Sequence, residues 1–217
     1  MNSKLNHIGK FITFEGGEGA GKSTQIQLLK TALDLNGIDT IATREPGGSD
    51  GAEQIRRLLV EGDPDRWSPM SEALLNIAAR NDHVERLIKP QLNAGSWVVC
   101  DRFFDSTKAY QGYGHGLERS TLDMLHNTVF GEFVPDLTLI FDLPVETGMA
   151  RTVSRGGGED RFEKMDRSFH ERLRRGFLDI AHREPDRCHL INADQSVEVI
   201  AMDVKMVVGA KFNVEWL

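Results

Sequence analysis

The chain is poor in the features that mark several common protein classes. Only two of its 217 residues are cysteines, Cys100 and Cys188. They lie far apart and fit no metal-ligand spacing, so reduced thiols in a cytoplasmic protein are the default expectation. No apolar run approaches the length needed to cross a bilayer. Residues 1–10 lack the apolar core and small-residue cleavage site of a secretory leader. Basic residues are outnumbered 26 to 33, and the net charge of −7 argues against the broad basic footprint that nucleic acid demands. Any anion bound here should be small and met by a local cluster of arginines. The chain has no internal repeat, no linker and no Asn-Lys-x-Asp guanine motif. Its seven histidines are scattered without metal-pair spacing and read as structural or solvated.

What is present is a regular alternation. Short β-prone runs at Phe11–Phe14, Thr40–Thr43, Trp97–Cys100, Leu137–Leu143 and His189–Ile191 are separated by stretches of helical period. Ile26, Leu29, Ala32 and Leu33 share a face that ends at Asn36-Gly37. Ser68-Pro69 reads as an N-cap followed by proline at the first helical position. Helical spacing then runs to about Leu92, with Pro90 marking a kink or the last turn. Thr121–Phe130, Val145–Ser154, Ser168–His182 and Val197–Val208 are further helices. Strand–helix alternation without hairpin signals predicts parallel strands joined by crossover helices. The expectation is one α/β domain over residues 1–217, with a five-stranded, mostly parallel sheet. Arg155-Gly156-Gly157-Gly158-Glu159-Asp160-Arg161 cannot hold a helix and reads as a mobile loop.

The most specific motif is Gly16-Gly17-Glu18-Gly19-Ala20-Gly21-Lys22-Ser23, which fits G-x-x-x-x-G-K-[ST] between a strand and a helix. Its glycines let backbone N–H groups turn onto phosphate oxygens, and the helix N-terminus adds partial positive charge. Together with Thr24 the loop is an ATP cradle. Lys22, expected to stand exposed outside the core, reaches the β- and γ-phosphates, and Ser23 binds Mg²⁺. Glu18 is out of place among phosphates, since a carboxylate is repelled there. It is expected to point toward a second substrate, with a sugar hydroxyl as a suitable donor. Arg44, Asp101 and Arg102 follow the second and third strands, where open α/β sheets bind ligands. The arginines suit bidentate phosphate contacts, and Asp101 suits Mg²⁺ directly or through water.

The P-loop, Thr43–Gly48, Ala79-Arg80, the run from Asp101 to Gln111 and Arg155…Asp160-Arg161-Phe162-Glu163 occur in the order found in thymidylate kinases. The chain resembles that family from about Phe11 to Ala193, and the Asp-Arg…Ser-Thr-x-Ala-Tyr-Gln run is its most specific part. The resemblance implies a P-loop nucleoside monophosphate kinase fold with flanking helices and a lid at about 151–165. It implies phosphorylation of dTMP to dTDP by MgATP, on the way to dTTP. Glu18 then meets the 3′-hydroxyl, Arg44 and Arg102 the acceptor phosphate, and Asp101 lies near Mg²⁺. Arg80 bonds thymine O4, Thr107 reads the base edge, Tyr110 disfavours ribose, and Ser106 and Gln111 complete the acceptor wall. Asn192 and Ala193 fall near the adenine-contacting turn. Relatives usually carry a phenylalanine four residues before the arginine matching Arg80, stacked on thymine. Here that position is Asn76, which implies weaker dTMP binding unless another ring, such as Phe104 or Tyr113, covers the base. Ile77 beside it is expected in the core. The resemblance also implies a homodimer.

A nucleoside monophosphate is largely a dianion at neutral pH, with a second phosphate pKa near ~6, so its oxygen can attack without a general base. Catalysis reduces to alignment and charge neutralisation. The P-loop holds no basic residue between Gly16 and Gly21. The chain resembles the mostly bacterial members that place the missing cation in the lid, which assigns the task to Arg155, with Arg161 as the alternative. A deoxynucleoside kinase would leave Arg44 and Arg102 without an acceptor phosphate, and a GTPase-type switch lacks its guanine motif. Another nucleoside monophosphate kinase is the remaining rival.

Overall fold

The computed structural model describes residues 9–155, 161–162 and 165–217. Strand β1 (Phe11–Gly16) is buried along its whole length, as a strand covered on both faces must be. It lies between β3 (Trp97–Asp101) and β4 (Leu137–Asp142). Beyond these are β2 (Thr40–Arg44) and β5 (Cys188–Asn192), giving the order β2-β3-β1-β4-β5 with every pairing parallel. All five strands fall within two residues of the bounds read from sequence.

Alternation along the strands divides the apolar residues between two layers. Ile12, Phe14, Leu139 and Phe141 pack under α1 (Lys22–Leu35) and α9 (Val197–Phe212), through Ile26, Leu29, Leu33, Ile200, Val204 and Val208. Phe11, Val98 and Cys100 pack on the opposite face with Ala73 and Ile77 of α3 (Pro69–His83) and Leu122 and Phe130 of α6 (Arg119–Phe130). Helix α8 (Arg167–Arg183) covers Ile140 with Phe169, Leu173 and Phe177. Each of the valine, leucine, isoleucine and phenylalanine side chains contributes roughly 1.5–3 kcal/mol on burial.

Ser68 caps α3 as read, its hydroxyl oxygen accepting from the Ser71 N–H, with Pro69 at the start of the helix. The helix does not end at Pro90. It passes through a π turn at Val84–Ile88 into α4 (Lys89–Ala94), so the proline sits where the ladder is already interrupted. Two helical stretches are not among those read from the sequence. Helix α2 (Asp50–Val60) buries little beyond Ala52, Leu59 and Val60. Helix α5 (Phe104–Thr107) continues as π-helical turns over Lys108–Gly114, and Asp105, Ser106, Thr107, Lys108 and Gln111 are all buried. A polar buried face produces no apolar stripe. Helix α7 (Val145–Arg155) leads to the glycine run, and residues 156–160 lie outside the described residues.

The fold brings three chain segments to one edge of the sheet. The P-loop follows β1, Arg44 ends β2 and Asp101 ends β3, with Phe14 and Arg44 both in register with Asp101. The α5 segment is tied down behind them by Arg187, whose guanidinium donates to both carboxylate oxygens of buried Asp105 at 2.7 and 2.9 Å.

Candidate active site

The P-loop runs through left-handed backbone at Gly19 (φ 70°) and Gly21 (φ 83°). A Cβ at Gly19 would stand 2.3 Å from the Gly148 carbonyl oxygen, so no larger residue fits. Helix α1 begins with no side-chain cap bond, which leaves its first N–H groups for a ligand. Lys22 corrects the expectation of an exposed side chain. It is 7% exposed, and its Nζ donates to the carbonyls of Gly16 (3.1 Å) and Gly17 (2.9 Å). Burial and the neighbouring Arg102 lower its pKa. Ser23 donates to Asp101 Oδ2 at 3.0 Å. Asp101 Oδ1 is buried without a hydrogen-bond partner among the described residues. A hydroxyl beside an orphaned carboxylate oxygen at a phosphate cradle fits a hard cation that takes few protein ligands.

Glu18 leaves the cradle, as its charge demands. Its Oε1 accepts from Arg102 Nη2 (2.9 Å) and the Tyr110 hydroxyl (2.7 Å). Burial alone would raise its pKa, but Arg102, Lys22 and the tyrosine hydroxyl outweigh burial and bring it down to about 2. Arg102 adopts φ 72°, a strained conformation for a non-glycine residue. The turn is held by its N–H on the Phe14 carbonyl and by Glu15, which accepts from the Phe103 N–H (2.7 Å) and the Ser106 hydroxyl (2.6 Å). Ser106 in turn accepts from Arg102 Nη1 at 3.1 Å. Burial and the nearby Asp105 carboxylate push the Glu15 pKa well above the usual range.

Arg80 is buried in α3 with most of its donors committed. Nε meets Glu45 Oε2 at 2.6 Å, and Nη2 donates to the Phe103 carbonyl and the Thr107 hydroxyl. Nη1 has no protein acceptor among the described residues. The other Glu45 oxygen lies 3.0 Å from His83 Nδ1, and His83 Nε2 pairs with Thr43 Oγ1. Gln111 donates to Glu72 at 2.6 Å. Asn76 donates to the Glu72 carbonyl at 2.9 Å, while Ile77 packs in the core as expected.

A cleft of about 650 Å³ joins these parts. It is lined by P-loop residues Glu18 to Thr24 and by Arg44, Asn76, Arg80, Asp101, Arg102, Ser106, Thr107, Tyr110 and Gln111. Gly16 and Gly17 serve it through the carbonyls that hold Lys22. Asn192 and Ala193 lie beside it, with Arg151 Nη1 reaching the Ala193 carbonyl at 3.4 Å. Arg44 is exposed and turned onto Glu53, 3.2 Å away. The Arg155 side chain lies outside the described residues. Arg161 does not behave as a lid cation: it is wholly buried, holding the carbonyls of Leu59, Asp63 and Pro64 and pairing with Glu72. Phe104 and Tyr113 do not line the cleft either. Phe104 stacks on His126 and Tyr113 bonds Asp179. The cleft also contains Glu45, Arg151 and Phe162, which sequence reasoning did not pick out as site residues. A carboxylate directly after Arg44 at a strand end was the available sign for Glu45. Phe162 lies in the Arg155…Glu163 run that carries the resemblance, and Arg151 carried no sign of its own.

A P-loop cradle at the edge of a five-stranded parallel sheet, facing a second pocket lined by arginines, defines a P-loop nucleoside monophosphate kinase. A family model described as thymidylate kinase matches residues 14–204. Thymidylate kinase of Caulobacter vibrioides is 56% identical over 92% of this chain and 96% of its own length. That of Ruegeria pomeroyi is 49% identical over 96% and 99%. The crystal structure of thymidylate kinase from Ehrlichia chaffeensis superposes with a TM-score of 0.75 at 36% identity, covering 92% of this chain and 98% of that one. The chain belongs to the thymidylate kinase family, whose reaction is the phosphorylation of dTMP with ATP.

Proposed function

We propose that this chain runs the family reaction by direct in-line transfer from MgATP to dTMP within the cleft, as one catalytic domain with a lid at about 151–165. The supporting observation is that one cleft holds both the phosphate cradle and Arg80, whose Nη1 lacks a protein acceptor among the described residues. A donor-only group at a buried edge suits the O4 carbonyl of thymine and rejects the amino group of cytosine.

The P-loop N–H groups and Lys22 hold the β- and γ-phosphates, with Arg151, Asn192 and Ala193 on the adenine side. Ser23 and Asp101 would hold Mg²⁺, which neutralises phosphate charge and orients the donor. Arg102 and Arg44 receive the acceptor phosphate. That assignment asks both arginines to exchange their carboxylate partners, Glu18 and Glu53, for phosphate oxygens. Glu18 accepts from the 3′-hydroxyl, while Tyr110 crowds the 2′ position. The acceptor phosphate is already a dianion, so no side chain needs to take a proton. Arg155 covers the transferring phosphoryl from the lid.

A coupled assay with MgATP and dTMP, dUMP, thymidine, dCMP and AMP tests the reading. dTMP should be the best acceptor and thymidine inert; turnover of thymidine would favour a deoxynucleoside kinase. Arg155→Ala should lower kcat roughly tenfold or more, with a smaller change in the KM for dTMP. We also propose a homodimer working in the cytoplasm. Leu58, Leu74 and Met124 on α2, α3 and α6 are exposed, and a second copy would cover them. A monomer mass by light scattering would remove the dimer.

A further inference from the structure

A planar base in a polar cleft needs a flat apolar wall as well as an edge partner. Three rings line the cleft: Phe103, Tyr110 and Phe162. Phe103 is wholly buried, packed edge-on against Phe11 (centroids 5.0 Å) and covered by the Arg80 guanidinium at 5.0 Å. Tyr110 is buried too. Its ring lies under the Arg102 guanidinium at 5.1 Å, and its hydroxyl is engaged by Glu18. Phe162 is only half-buried and meets Tyr110 edge to face, with centroids 5.1 Å apart at 80°.

Phe162 is also fixed from behind. The Arg161 guanidinium lies 5.0 Å from its ring centroid. Arg161 donates to the carbonyls of Leu59 (3.1 Å), Asp63 (3.0 Å) and Pro64 (2.8 Å) and pairs with Glu72. An arginine with no exposed surface and four backbone or carboxylate partners has no freedom left to reach a phosphate. Its effect is to pin the backbone of the next residue. Glu72 is the shared post, since it also accepts from Gln111 of the acceptor wall, and its carbonyl receives Asn76.

We infer that Phe162 is the ring on which the acceptor base stacks, and that Arg161 is the positioning residue that presents it. The inference rests on dTMP being the acceptor. Base affinity is then set by a residue that follows the glycine run in sequence, as well as by the α3 arginine.

The test is calorimetric and spectroscopic. Phe162→Leu should raise the dTMP Kd roughly three- to tenfold, the scale of one aromatic contact, with a smaller change in the ATP Kd. Phe162→Tyr should keep the parent affinity. In Phe162→Trp, dTMP should change the indole emission beyond the parent response, and 2-deoxyribose 5-phosphate, which lacks the base, should not. Arg161→Lys should raise the dTMP KM in the same direction with less effect on kcat, and by less in a Phe162→Leu background than alone. An unchanged dTMP Kd in folded Phe162→Leu overturns the proposal while the parent enzyme still phosphorylates dTMP. A parent chain that does not phosphorylate dTMP would instead fail the reading beneath it.

Discussion

The two halves of the cleft are built on different principles. The donor half is a single contiguous loop whose chemistry lies in the backbone: glycines in left-handed conformations, N–H groups at the start of α1, and one lysine folded onto the loop's own carbonyls. The acceptor half is assembled from side chains that are distant in sequence and neutralise one another in buried or half-buried pairs. Arg80 meets Glu45, Arg102 meets Glu18, and Arg161 meets Glu72. A backbone cradle depends on its glycines and on its one cation. A network of buried pairs spreads its dependence, and losing either member of a pair leaves a charge without compensation.

The largest effect should come from breaking the donor half at Lys22. On the proposed assignment Lys22→Ala removes the cation that meets the β- and γ-phosphates, and turnover should fall by on the order of 10³-fold or more. Lys22→Met keeps the buried stem, so its melting temperature should stay near the parent value while activity is lost as completely. If Lys22→Met unfolds the chain, the side chain is structural and the contrast between the halves is weaker than stated.

A smaller, two-part effect is expected in the acceptor half from Glu45→Gln. The substitution leaves Arg80 and His83 facing a neutral amide in a site 3% exposed on both sides of the ion pair. Breaking a buried pair costs about 3–5 kcal/mol, and the retained amide oxygen should hold the loss near the lower figure. The dTMP KM should rise more than tenfold as Arg80 loses its anchor, on the scale of a charged hydrogen bond, while the ATP KM stays put. Denaturant unfolding and two-substrate kinetics read the two parts separately. Equal rises in both KM values would mean the halves are not separable.

The same contrast explains what could be read from sequence. The donor half is local, so one eight-residue pattern between a strand and a helix was enough. The strands were legible because each is a short apolar run bounded by turn chemistry. Arg44, Asp101 and Arg102 were legible from their place at strand ends. The pairs that set the acceptor half join residues 35 to 89 positions apart: Arg80 with Glu45, Arg102 with Glu18, Arg161 with Glu72. No spacing rule connects them. The helical segment that carries Ser106, Thr107 and Gln111 has a polar buried face and shows no period. Lys22 was misread as exposed because a lysine in a glycine loop gives no sign that it folds back on its own carbonyls. Asn76 and Ile77 were assigned correctly, one to the cleft and one to the core, by their one-residue offset on α3.

The smallest effect sharpens the comparison through pH. The acceptor half is backed by His126 of α6, which stacks on Phe104 (centroids 4.0 Å, 22°) and lies 5.0 Å from the Phe130 ring. Burial, aided by the charges of Arg80 and Lys108 and opposed by Asp105, brings its pKa down from 6.5 to about 4. A folded-state pKa below the unfolded one means the unfolded chain binds the proton first as pH falls. The neutral ring's contribution to stability is therefore whole above about pH 6.5. It declines as pH falls toward 4 and is fully lost below that. The carboxylates whose pKa values are lowered, Glu18 among them, act mainly below pH 4.5. In the upper window Glu15, whose pKa is raised to about 8, works against the histidines, since the folded chain binds its proton first as pH falls. His115 and His170 are lowered as well, mainly by burial, so only a substitution isolates His126. His126→Phe keeps a flat ring on Phe104 and cannot charge. Urea unfolding at steps from pH 6.5 to 5 should show the parent losing stability faster than His126→Phe, with a gap on the order of 1 kcal/mol at pH 5. His126 does not line the cleft, so ATP affinity measured over the same steps should not separate the two proteins. Parallel stability curves for parent and variant would show that His126 titrates alike folded and unfolded, and that the acceptor half has no acid-sensitive backing at this position.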